Sequence, residues 1–215
     1  MFSWTFLFVL VVLSSKLEFY KNHFEKPFLK ATQDFYVDQA NRFLQNTQNY
    51  SVIVEYLKKV EQSLNEEIHR VHSYLHVSTS KPLIQLLENI LIRDRLEFIY
   101  SIVEILLSNE RDEDLILLYE LVDRIPNAFI RLKDTVENHI IKTGVNAIGS
   151  FPEQTEIATK HCETYIETMI NMCKRFSQLI QQVFNNRQEF IIVLNNVRST
   201  EMFFISDNWI CLLSL

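Results

Sequence analysis

Apolar residues recur along most of this 215-residue chain at spacings of three and four, the period of a helix buried along one face. Phe28, Leu29, Phe35, Tyr36, Phe43 and Leu44 define a first helix, with Pro27 placed where a first turn tolerates a missing N–H. A polar stop from Gln45 to Asn49 follows. Ser51 opens a second helix to about Leu75, with Val54, Leu57, Leu64, Ile68, Val71 and Leu75 on its apolar stripe. Its opposite face carries Lys58, Lys59, Glu66, Glu67 and Arg70, a solvated arrangement.

The hydroxyls of Ser78, Thr79 and Ser80, ahead of Pro82, offer N-caps for a third helix running towards Ile92. The stretch from Leu96 to Leu107 is apolar almost all round, which predicts an uninterrupted, central fourth helix. Asn109 to Asp114 reads as a solvated acidic connector. Asp112 or Asp114 begins a fifth helix, where acids favour the positive pole, and Pro126 closes it. Phe129 to Ile141 gives a sixth, with Gly144 as a left-handed C-cap. Thr155 to Phe184 forms one long helix, followed by a shorter one from Gln188 to Val197.

Composition sharpens this picture. Two glycines and four prolines leave little material for the turns of a many-stranded sheet, and no stretch alternates as hairpins demand. The fold class is all-α. A 47% apolar content supports a core without staples. A net charge of −6 argues against a phosphate-binding surface, which rests on clustered Lys and Arg. Cys162, Cys173 and Cys211 form no CxxC pair. The first two, ~16 Å apart at ~1.5 Å rise per residue on one helix, cannot bond to each other. A reduced compartment follows. The apolar start, MFSWTFLFVLVVL, is shorter than the ~20 residues of a membrane span and reads either as a signal-peptide core or as an aberrant start.

Candidate chemistry is sparse. His69, His72 and His76 share a helical spacing in which His72 and His76 match the i, i+4 geometry of a zinc pair, but the sequence assures no third ligand close in space and holds neither HExxH nor a Cys/His cluster. His139 and His161 stand near expected helix ends. Cys162 directly follows His161 and so points away from it around the helix. Glu110, Asp112, Glu113 and Asp114 lack the glycine and distal glutamate of a calcium loop. With Gly144 and Gly149 alone, no phosphate cradle can be written. The aromatic series Phe24, Phe28, Phe35, Tyr36 and Phe43 has no basic groove to make it a base-stacking platform and reads as helix packing. No catalytic, cofactor-binding or metal-binding residue is assigned.

Five blocks, in order, carry a resemblance. YKNHFEKPFLKATQDFYVDQANRFL, from Tyr20 to Leu44, holds the pattern Y-x3-FE-x2-FL-x2-T-x2-FY, and EYLKKVEQSLNEEIHRVHSYLHVST, from Glu55 to Thr79, ends in YLH-x-ST. Glu113, Asp114 and Leu115 with Tyr119, Leu121, Val122 and Arg124 form the third block. ENHIIKTGVNAI and VFNNRQEFIIVL, from Glu137 and Val183, complete the series. Together they resemble the cullin family, nearest in flavour to the cullin of F-box-type ubiquitin ligases.

The resemblance implies cullin-repeat-like helical bundles stacked into a stalk. On that reading residues 1–16 are an apolar leader and 17–79 the end of one repeat with its linking helices. Residues 80–197 are the following repeat and 198–215 an atypical tail containing Trp209 and Cys211. It further implies a non-catalytic scaffold segment of a cullin-RING ubiquitin ligase, cytoplasmic or nuclear. Its partners are the proteins of that ligase, and the adaptor and RING contacts fall mainly outside this stretch. No nucleic acid, small-molecule substrate or cofactor is expected. The alternative is a secreted or membrane-tethered helical binding protein, resting on the apolar start. An enzyme rests on the histidine face alone.

Overall fold

A computed structural model describes residues 16–44, 50–149 and 158–196. The apolar start, the whole of the tail, and the expected helix start at Thr155 lie outside the described residues. The described residues are helical throughout, with no strand among them, as the periodicity predicts. In chain order the helices are α1 (16–20), α2 (Lys26–Leu44), α3 (Tyr50–Tyr74), α4 (Ser80–Leu91), α5 (Leu96–Tyr100), α6 (Val103–Ser108), α7 (Asp112–Asp123), α8 (Phe129–Gly149), α9 (Ala158–Gln182) and α10 (188–196). They form two compact units, Met1–Glu97 and Phe98–Leu215.

In the first unit α4 packs on both α2 and α3. Its buried stripe, Leu83, Leu87 and Ile90, meets Tyr36 and Ala40 of α2 and Leu57, Val60 and Leu64 of α3 in one core. Phe35 and Tyr36 are neighbours about 100° apart around α2, so only one can face that core. Tyr36 is buried and Phe35 is 60% exposed, which corrects the expectation that the whole aromatic series packs inside.

Pro27 does not open a helix. Residues Lys21–Glu25 form a single π turn that joins α1 to α2, and the Lys26 N–H donates back to the Lys21 carbonyl. The wider turn shifts the hydrogen-bond ladder immediately before the residue that has no N–H to give, so the helix continues through the proline.

In the second unit α6 packs on α7 and α8, and α8 also packs on α7 and α9. The expected fourth helix is broken into α5 and α6 at residues 101–102. There the Ser101 hydroxyl takes the Phe98 carbonyl at 2.6 Å, a local bond that competes with the helical ladder. Both pieces still bury their apolar side chains, including Ile99, Val103 and Leu106. Gly144 is also corrected: it is right-handed, and α8 continues past it to Gly149. Leu132, Val136, Ile140 and Gly144 form one buried row at four-residue spacing. The glycine is therefore a buried position without a side chain, not a cap.

The left-handed positions fall elsewhere. After α9, Asn185 and Asn186 have φ of 50° and 55°, and the Asn186 N–H reaches back to the Ile180 carbonyl at 3.1 Å. This six-residue closure satisfies an orphan helix carbonyl with asparagine where glycine is the commoner choice. The turn brings Phe190 of α10 onto Phe184, stacked with ring centroids 4.0 Å apart, and Tyr119 of α7 meets both edge-on.

Candidate functional site

Among the described residues, a connected polar cluster joins the start of the α1–α2 stretch to the exit of α3. In a regular helix Tyr20 and Glu25, five residues apart, would diverge by about 140°. The π turn between them brings both side chains to the same residue, Thr79. The His76 N–H donates to the Tyr20 hydroxyl at 3.2 Å, and the Tyr20 and Thr79 hydroxyls are 2.9 Å apart. Thr79 in turn donates to Glu25 Oε2 at 2.8 Å. Because the Thr79 proton is committed to the carboxylate, Tyr20 is the donor to Thr79, and the three bonds run in one direction.

Ser78 reinforces the cluster. Its hydroxyl donates to the same Glu25 oxygen at 3.1 Å, and its N–H donates to His76 Nδ1, also at 3.1 Å. Thr79 is fully buried and Glu25 is 6% exposed. Two of the three hydroxyls expected to cap α4, those of Ser78 and Thr79, are therefore spent on Glu25, and Thr79, at the N-cap, makes no side-chain cap. Both hydroxyls converge on one buried carboxylate oxygen, so the cluster works as a structural tie between the two segments.

A second buried carboxylate lies between α2 and α3. Glu67, assigned by the pattern to the solvated face, is 1% exposed. Its Oε1 accepts from the Tyr36 hydroxyl at 2.8 Å and faces Arg70 at 3.2 Å, while Oε2 has no protein partner. Burial, and then the bond to Glu67, push the Tyr36 phenol well above its ordinary range.

The acidic connector is also less solvated than expected. Asp112 takes a two-pronged contact from Arg175 of α9, at 2.7 and 3.0 Å, and Glu110 approaches the same guanidinium at 3.5 Å. Asp114 is buried against Arg111. These acids hold elements of the second unit together and compensate the start of α7.

The histidines do not converge. His69 and His72 are exposed on α3, whereas His76 lies beyond its end in extended backbone, so the expected i, i+4 pair is not formed on one helix. His139 is within α8, which outruns its expected end, with its ring edge-on to Phe176 at 6.1 Å. Burial lowers its pKa. Cys162 and Cys173 both fall on α9, and Cys173 is a half-buried free thiol. Among the described residues no group of three or more His, Cys, Asp or Glu is placed to hold a metal ion, and no helix is long and apolar enough to cross a membrane.

The fold and its buried ties define a class: an all-helical protein whose polar clusters fasten helix to helix. The comparisons make that class specific. Residues 5–208 match the cullin alpha solenoid domain, a stretch that takes in residues set apart above as leader and tail. Cullin-1 of Caenorhabditis elegans is 34% identical over 195 residues, covering 91% of this chain and 24% of the relative. Cullin-1 of Dictyostelium discoideum is 34% identical over 179 residues, covering 83% and 22%. Cullin-1 of Schizosaccharomyces pombe is 31% identical over 175 residues, covering 81% and 22%. The chain belongs to the cullin family. It spans less than a quarter of the length of these relatives.

Proposed function

We propose that this chain serves as a non-catalytic scaffold segment of a cullin-RING ubiquitin ligase, acting in ubiquitin-dependent protein catabolism by fixing the distance between other subunits. The observation that carries this reading is the use of the family motifs. The Y-x3-FE block and the YLH-x-ST block meet at Glu25 and Thr79, where their polar groups are consumed in a buried tie. Residues that serve chemistry need access to a substrate, whereas residues that serve length need to be locked.

On this reading residues 17–79 complete one repeat and residues 80–197 form the next. The adaptor and the RING subunit are partners of the assembled ligase and grip mainly outside this stretch. The site of action is the cytoplasm or nucleus.

Replacing the matched segment of the C. elegans Cullin-1 with residues 17–197 tests the proposal. The chimera, assembled with its adaptor and RING subunits, is expected to ubiquitylate a substrate at a rate within several-fold of the parent. A folded chimera that binds both subunits and transfers no ubiquitin would remove the spacing role.

A further inference from the structure

One side of α2, away from the core, is aromatic. Phe24 in the π turn stacks on Phe28, with ring centroids 5.7 Å apart and 7° between the planes. Phe28 and Phe35 are seven residues apart on the same helix, about 20° around it, so they share a side. Ala31 stands between them at spacings of three and four and is exposed. Tyr36, which faces the core, lies about 80° to 100° around the helix from both phenylalanines. Phe24 is 42% and Phe35 60% exposed. Towards the helix end Phe35 opens onto a groove lined by Asp38, Gln39, Arg42, Phe43 and, from α3, Val52. Asp38 and Arg42 pair with each other at 2.7 Å, so this side offers apolar surface rather than a field that would draw a charged partner.

The chain carries an uncharged apolar segment tethered next to that side. Residues 1–15 hold no charged side chain, and Phe2, Trp4, Phe6 and Phe8 stand in the run with Leu and Val from Leu7 to Leu13. Ser14 and Ser15 separate the run from α1. Along the helical stretch, Phe28 lies ~18 Å and Ala31 ~22 Å from residue 16, at ~1.5 Å per residue. Thirteen residues span ~20 Å as a helix and ~43 Å extended. Turned back at the serines, the run therefore covers Phe24 and Phe28 in either form and ends beside Ala31 or beyond it. A link of two residues gives it an effective concentration of the order of mM, which any outside occupant has to exceed. The match to the cullin alpha solenoid domain begins at residue 5 and so takes in most of the run.

We propose that residues 1–13 turn back at Ser14 and Ser15 and pack along the side of α2 formed by Phe24, Phe28 and Ala31, as an intramolecular cover. The inference stands on this side of α2 and its tether and does not require the ligase reading.

The test uses the full chain with p-benzoylphenylalanine in place of Phe24, irradiated, digested and mapped by mass spectrometry. A second protein carries the photoreactive residue in place of Lys26, which is exposed, lies about 160° around the helix from Phe28 and is as close to the tether. The Phe24 position is expected to link to residues 1–13 of the same chain several-fold more than the Lys26 position does. Ala31→Glu keeps a good helix former and sets a charge inside the contact, so it is expected to cut that yield several-fold. Unchanged helical circular dichroism separates this loss from unfolding, and mixing isotopically labelled with unlabelled protein separates links within a chain from links between chains. Four results would overturn the proposal: equal yields from the two positions, a yield that Ala31→Glu leaves unchanged, links that join labelled to unlabelled chains, or loss of the link when phosphatidylcholine vesicles are added, which would assign the segment to a lipid surface.

Discussion

The hydroxyl of Thr79 donates a 2.8 Å hydrogen bond to the carboxylate of Glu25, 54 residues earlier in the chain, with both side chains buried. Thr79→Val keeps the shape and removes the donor, leaving Glu25 with Ser78 alone and Tyr20 without its acceptor. The expected loss is about 1–3 kcal/mol of unfolding free energy, the cost of under-satisfied buried polar groups. Thr79→Ser retains the hydroxyl and should lose less. Urea unfolding of the three proteins checks the order.

Tyr36 and Glu67 give an independent case in the same unit. Tyr36→Phe removes the donor at 2.8 Å from a carboxylate that already has one oxygen without a protein partner. The variant should lose about 1–3 kcal/mol, and Glu67→Leu in that background should recover part of it by removing the under-satisfied buried polar group. A double-mutant cycle measured by denaturant unfolding tests the coupling.

His139 predicts a pH dependence in the second unit. Burial favours its neutral form, while Glu104 opposes and Lys142 assists that effect. Its folded pKa is thus below the ordinary 6.5, so the unfolded chain binds the proton more readily. The stabilisation is complete above that ordinary value and is lost as pH falls towards the folded one. His139→Leu should flatten the fall in melting temperature on acidification below about pH 6.5, the ordinary value for a histidine side chain. A wild-type profile no steeper than the variant's would contradict the assignment.

The turn after α9 depends on backbone conformation rather than on contacts. Asn185→Val should destabilise by about 1–2 kcal/mol, because a β-branched residue is poorly suited to positive φ, whereas Asn185→Gly should be neutral or mildly stabilising. Thermal unfolding of both variants separates this strain from any loss of a side-chain bond.

Much of the fold was legible because burial on one face imposes a period. Leu57, Leu64 and Val71 of α3 stand where spacing put them. The failures have two causes: a local feature without a periodic signature in some, a contact distant in sequence in others. Pro27 stays within the helix because a π turn precedes it, and Gly144 stays helical on a buried row. Glu67 leaves its polar row for Tyr36, and Thr79 leaves the cap for Glu25. The tie at Glu25 was visible only as two unexplained motif blocks. Nothing in either block alone states that they meet, because the π turn that aligns Tyr20 with Glu25 has no periodic signature.

The central claim is that these side chains hold geometry and perform no chemistry. Its most direct test is the rate of substrate ubiquitylation by the C. elegans Cullin-1 chimera carrying His69→Ala, His72→Ala and Cys173→Ala, residues outside the buried carboxylate ties. The account predicts a rate equal to that of the unaltered chimera. A large fall in rate with thermal stability and subunit binding intact would contradict it.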